Sequence, residues 1–467
     1  MNSKEILNRN IISLVESLKS REIKVSEVTE ASIIRSEEMQ KKLNCYISFD
    51  FDKAMDKAKS FDNEKNKEGK LFGIPMAHKD MYYRKGRVST CGSKIRKNWV
   101  ADKTSTVLSR LDTEGALDIG TLNMAEFATG ATGHNEHWGN CRNPWNNEHI
   151  TGGSSSGSGS SVGARAVFAS LGSDTGGSVR LPAAACGVVG LKPTHGLISR
   201  YGIMPLSYSM DTVGPLTRTV KDNARITDVI SGYDQEDTTT SNRQHKNFEE
   251  FCGKDISNLR IGLPNSYFFE IATNEIKEKI NEVIKVFQGL NVEIVEVDLP
   301  DMHLITNLSN IVFPTEACAI HSKWLSERSD EYQIQVRTRY EPGLYIPGHK
   351  YIQALDMRPY LLDQFIQKSL KNVDAMIVPG MPFAVPRIDE TDVAAGEKMA
   401  DTIASISWCT RPTNYLGIPA LSVPCGFTEN GLPTAFQLTG RPFSEGLLYQ
   451  IAHAYQTETV WHEKSPS

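Results

Sequence analysis

Apolar positions recur in two rhythms along the chain. In SLVESLKSREI (13–23) and SEVTEASIIRSEEMQKK (26–42) they return every three to four residues, which places them on one face of a helix, and Ser26 stands where an N-cap is expected. Residues 51–70, FDKAMDKAKSFDNEKNKEGK, predict a solvated helix followed by a loop. Between 104 and 127 a helical pattern gives way to the strand-like ALDIGTL, the βα alternation of a parallel or mixed sheet. The alternation returns with LRIGLP (259–264) as a strand and Thr273 to Phe287 as a helix that Gly289 would cap. VEIVEVDLP (292–300), DAMIVPG (374–380) and PALSVPCGF (419–427) predict further strands, the last two buried. An α/β architecture with one large sheet is expected.

A length of 467 residues would allow two or three domains or one large sheet. With 39% hydrophobic and 23% charged residues the chain can bury a large core. Its formal charge of −5 is spread without blocks of one sign, which argues against a nucleic-acid or anionic-membrane partner. The start, MNSKEILNRN, has no apolar segment behind it and no later stretch is long enough to span a bilayer, so a cytoplasmic protein is expected. Eight cysteines without a C-x-x-C pair predict reduced thiols. His134 and His137 in GHNEHWG have a poor spacing for metal ligands, and no metal or cofactor is expected. The polar interval 234–256 would connect two lobes or make a surface excursion.

The chemistry concentrates in TGGSSSGSGSSVGARAVFASLGSDTGGSVRLPAAACGVVGLKPTHG, residues 151–196. A Gly/Ser run is ordinarily a linker, but this one is flanked by VGARAVFASLG (162–172), apolar and helix-compatible, and by a second apolar segment. Glycines in a buried loop allow unusual backbone angles and expose N–H groups, so SDTGGS can form a nest for an anion. A phosphate is disfavoured because Ser178 is followed by Val179 and Arg180 and no P-loop lysine is present. If the guest is an oxyanion, Ser178 is placed to be the nucleophile beside it, and it needs a base. His195, in the turn KPTHG, reads as a surface residue. Lys79, in the apolar GIPMAHKDM, could be that base if burial lowers its pKa, although a lysine paired with Asp80 would give the same sequence.

GIPMAHKDM (73–81), GGSSSGS (152–158) and GSDTGGSVRLPAAACGVVGLKPT (172–194), followed by SMDTVGPLTRTVKDNA (209–224) and NYLGIPALSVPCGF (414–427), resemble the amidase signature family over nearly the whole chain. The resemblance implies a single α/β/α domain over 1–467, a large mixed sheet flanked by helices. Its N-terminal helices would occupy about 1–60, its catalytic core about 70–230 and a polar surface connection about 234–256. It also implies a Ser-Ser-Lys triad of Lys79, Ser154 and Ser178, with a cis peptide bond before Ser154. The oxyanion would rest on the N–H groups of Thr175, Gly176, Gly177 and Ser178, with Asp174 and Arg180 fixing the nest. No cofactor is required.

Two substrates are then open. In the A subunits of tRNA-dependent amidotransferases, an acidic residue seven positions before the Asn-Leu-Ala-Gly segment holds the amino group of glutamine; here Ser407 stands seven before Asn414. That departure favours a free-standing amidase acting on a small-molecule amide, possible as a homodimer. Companion amidotransferase subunits enter under the alternative. Substrate contacts are expected from Thr129 and Gly130, from 408–413, and from VRTRYEPG (336–343), where Arg337 or Arg339 could meet a carboxylate.

Overall fold

The computed structural model describes residues 2–65, 67–243 and 247–466. Eleven strands form one mixed sheet in the order β1-β3-β2-β4-β6-β5-β10-β11-β9-β7-β8. They are β1 (Tyr46–Phe49), β2 (Pro75–Lys79), β3 (Leu117–Leu122), β4 (Ala169–Asp174), β5 (Val189–Lys192), β6 (Thr212–Thr217), β7 (Arg260–Pro264), β8 (Glu293–Val297), β9 (Ala375–Pro379), β10 (Ala420–Phe427) and β11 (Pro433–Thr439). Helices cover the sheet, and a continuous apolar core runs from Ile6 near the start to Tyr455 near the end. The expected α/β domain with a large mixed sheet is what the chain forms.

Two parallel trios, β3-β2-β4 and β9-β7-β8, are joined by antiparallel pairs through β6, β5, β10 and β11. Because β2 and β4 run parallel in register, with His78 opposite Leu171, their C-terminal ends bring Lys79 and Asp174 to the same edge. Loops at the carboxyl ends of such strands are where open α/β sheets build their sites.

Local differences from the sequence expectation have physical causes. The helix Val25–Leu43 starts one residue before Ser26, because Asp62 supplies the acceptor for the Val25 N–H at 2.6 Å. The helix Asn274–Gly289 keeps Gly289 as its last residue and is capped by Leu290. The apolar segment 162–172 is helical only at Val162 and Gly163, and from Ala169 it runs in β4. Instead the Gly/Ser run makes the helix Ser156–Gly163, in which every residue is buried. Glycine in a helix costs about 1 kcal/mol relative to alanine, but here packing requires it: a Cβ on Gly157 would lie 2.7 Å from the Asn123 backbone nitrogen, and one on Gly159 2.8 Å from Pro182 Cβ. In the polar interval 234–256 the described residues form turns and the short 3-10 helix Phe248–Phe251, while 244–246 lie outside the described residues.

Candidate active site

Lys79 ends β2 fully buried. Its Nζ lies 2.7 Å from Ser154 Oγ and 2.9 Å from Ser173 Oγ, and no carboxylate pairs with it among the described residues. Asp80 turns away and accepts from the Thr90 N–H at 2.9 Å and from the Thr90 hydroxyl, so the alternative of a Lys79–Asp80 pair is not realised. Burial lowers the Lys79 pKa to about 7; the more distant Asp174, Asp211 and Cys91 oppose this without cancelling it. Such an amine is substantially neutral at neutral pH, and the same contact can then run from the Ser154 hydroxyl to the nitrogen lone pair. Depression alone does not make a base. Lys192 is also held at about 7 by burial and then Arg180, yet it donates to the Pro193 carbonyl at 2.7 Å and lies outside the cavity lining.

Ser154 follows a cis peptide bond from Gly153. A Cβ on Gly153 would run into Gly130 O and the Gly133 backbone, so glycine is required for the approach. The next residue, Ser155, donates its N–H to Ser178 O at 3.3 Å, tying the two serine segments together. Lys79 and Ser154 are sealed from solvent, whereas Ser178 is partly open and lines a cavity of about 600 Å³.

The nest at 174–178 is held from beneath by a fully buried ion pair. Asp174 accepts from Arg180 Nε and Nη2, both at 3.0 Å, and from Asn414 Nδ2 at 2.9 Å. Burial alone would raise the Asp174 pKa, but the charge and hydrogen bonds of Arg180 outweigh it and hold the carboxyl well below the usual range. Arg180 Nη1 donates to Thr413 Oγ1 at 2.7 Å and Gln437 Oε1 at 2.6 Å, and Nη2 also donates to Asn414 Oδ1 at 2.7 Å. One expectation is corrected: the Gly177 N–H donates to Asp174 Oδ1 at 2.8 Å and so is committed to shaping the loop. The N–H groups of Thr175, Gly176 and Ser178 carry no hydrogen bond among the described residues.

Thr129 and Gly130 line the same cavity, and Thr129 Oγ1 contacts the Tyr340 hydroxyl at 2.5 Å. Arg339 also lines it, while Arg337 is ion-paired outside it with Asp330 and Glu341. In the 408–413 segment Trp408 stacks on Tyr267, Thr410 donates to the Gly176 carbonyl at 2.8 Å, and Arg411 faces the cavity beside Ser407. His195 is partly buried, not a surface residue, and burial followed by Arg200 lowers its pKa to about 3. His137 contacts Glu126 at 2.9 Å and His134 contacts Thr391 at 2.9 Å, and no group of three or more possible metal ligands occurs among the described residues. Ser173 and Gln437 were not singled out by the sequence, and Thr413 entered only as the end of the 408–413 segment expected to contact substrate, whereas it accepts from Arg180 beneath the nest. Ser173 alone had a signal there, since it follows Leu171 by two along a strand that ends at the nest.

The Amidase family model matches residues 27–449. The chain belongs to the amidase signature family. Curated relatives include the A subunit of glutamyl-tRNA(Gln) amidotransferase from Oceanobacillus iheyensis, 34% identical over 99% of this chain and 98% of that one. The Clostridium novyi protein of the same name is 35% identical over 98% and 99%. Among solved structures, a chain from the vestigial complex tied to the origins of an s-triazine catabolic enzyme superposes with a TM-score of 0.91 at 28% identity, covering 96% of this chain and 98% of that one. The same amidotransferase component from Thermotoga maritima gives 0.80 at 30% identity, covering 98% and 95%. A peptide amidase bound to the inhibitor chymostatin gives 0.85 at 26%, covering 98% and 99%. As a member of this family the chain is an amidohydrolase. No helix among the described residues is long and apolar enough to cross a membrane.

Proposed function

We propose that this amidase cleaves a carboxamide C–N bond through an acyl-enzyme on Ser178. Ser178 Oγ attacks the carbonyl carbon while its proton passes to Ser154 and the Ser154 proton to neutral Lys79. The oxyanion is met by the N–H groups of Thr175, Gly176 and Ser178. Collapse breaks the C–N bond, the nitrogen takes the proton back from Lys79 by way of Ser154, and ammonia or an amine leaves. Water then attacks the ester, releasing the carboxylate and restoring Ser178. The observation that carries this reading is the buried Lys79, without a carboxylate partner among the described residues and 2.7 Å from Ser154 Oγ, beside a serine that opens into a cavity.

Two substrate readings divide the support. The names of the curated relatives favour a glutamine-hydrolysing component that works with companion subunits, and on similarity this is the better supported. Ser407, neutral where an acid would hold an α-ammonium, favours a free-standing hydrolase of a small amide. Ammonia release from simple amides and glutamine by the purified chain separates them. Turnover of a non-amino-acid amide by the chain alone, lost in Ser178→Ala, supports the free-standing enzyme. Activity confined to glutamine and dependent on companion subunits supports the other. Hydrolysis unchanged in Ser178→Ala would refute the mechanism.

A further inference from the structure

The cavity beside Ser178 carries positive charge that its own walls leave uncompensated. Arg339 and Arg411 both line it, and both are half-buried. Arg411 rests on neutral acceptors, Asn310 Oδ1 at 2.7 Å and Ser407 Oγ at 2.9 Å. The Arg339 guanidinium lies 4.9 Å from the Phe313 ring centroid and makes no hydrogen bond or ion pair among the described residues. Arg180 shows the contrast: its guanidinium is spent on Asp174, Thr413, Asn414 and Gln437. Burial, and then the charge of Arg411, lowers the Arg339 pKa to about 10. The one carboxylate lining the cavity among the described residues, Asp401, is exposed on the helix Glu397–Ile406.

We propose that Arg339 and Arg411 together receive a carboxylate of the substrate, so that the amide cleaved is the monoamide of a dicarboxylic acid bearing no ammonium group. A carboxylate would supply the missing counter-charge and match the planar donor fork of a guanidinium. An ammonium placed near Ser407 would meet the Arg411 charge and find no acid to hold it. The inference rests on Ser178 as the nucleophile, which sets the amide end of the substrate; the two arginines set the other.

The test pairs succinamate with butanamide and glutaramate with pentanamide, each pair differing in one carboxylate, and adds glutamine, which is glutaramate with an α-ammonium. The full chain is expected to hydrolyse the carboxylates with kcat/KM at least about tenfold above their neutral partners and to prefer glutaramate to glutamine. Arg339→Gln and Arg411→Gln are each expected to reduce the carboxylate-to-neutral ratio about tenfold or more. A wild-type ratio near one, a ratio untouched by both substitutions, or a preference for glutamine overturns the proposal. Calorimetric binding of glutarate against the uncharged 1,5-pentanediol gives a readout that needs no turnover: glutarate binding tighter than the diol and weakened in Arg339→Gln supports it, and equal or absent binding overturns it. Should Ser178→Ala still hydrolyse these amides, the nucleophile assignment fails, while the glutarate measurement continues to decide the role of the arginines.

Discussion

Lys79 Nζ sits 2.7 Å from Ser154 Oγ with its pKa lowered to about 7, so its proton acceptor form exists at neutral pH only because the site is dry. Activity should follow that form. Below about 7 the amine is charged and kcat/KM is expected to fall about tenfold per pH unit, levelling above it, in a pH–rate profile. Lys79→Ala should lose several orders of magnitude in kcat and the limb with it. Stability carries the same signature. Between about 7 and the ordinary 10.5 the unfolded chain binds a proton that the folded one does not, so folding stability contributed by this group rises with pH over that window. Denaturant midpoints of wild type and Lys79→Met should therefore converge or cross in favour of wild type as pH increases; parallel curves would contradict a depressed Lys79.

Asp174 and Arg180 form the buried pair on which the nest rests, and removal of one charge leaves the other without compensation. Asp174→Asn is expected to cost about 3–5 kcal/mol in a denaturant titration, with activity lost at the same time. Because the folded pKa of Asp174 is depressed, its contribution is complete above the ordinary 3.8 and is lost as pH falls through the folded value. The acid limb of the wild-type stability curve should be correspondingly weaker in the variant.

Gly177 adopts φ +128°, and a Cβ there would run into Thr410 and approach Leu181 Cδ1 to 3.1 Å. Gly177→Ala is expected to lower kcat by about a hundredfold with a stability loss of about 1–3 kcal/mol, since the loop must shift the Gly176 and Ser178 N–H groups together. Steady-state kinetics beside a thermal melt checks both; unchanged kcat would mean that the nest tolerates displacement.

The periodic elements were legible because their signal is local. ALDIGTL and DAMIVPG alternate or run apolar and form strands within a residue of expectation. The helix Ser156–Gly163 was not legible, since its residues have poor helix propensity and the reason for it lies in Asn123 and Pro182, distant along the chain. Burial of Lys79 could be suspected from GIPMAHKDM, but whether Asp80 neutralised it depended on Thr90. Arg339 and Arg337 look alike in VRTRYEPG; only their positions on the helix Ile334–Tyr340 send one to the cavity and the other to Asp330.

Ser407 offers the sharpest test of substrate choice. It is buried, lines the cavity, donates to Ile403 O at 2.6 Å and accepts from Arg411 at 2.9 Å. An aspartate at this position would pair with Arg411, neutralise one of the two guanidinium charges and present an acceptor for an ammonium. Ser407→Asp is therefore expected to raise kcat/KM for glutamine relative to glutaramate by about tenfold, through KM more than kcat, because the change acts on binding and leaves Ser178 and Lys79 in place. Competition between the two amides in one reaction measures the ratio directly. If the substitution instead depresses both substrates equally, Ser407 serves only to seat Arg411, and the absence of an acid there says nothing about glutamine.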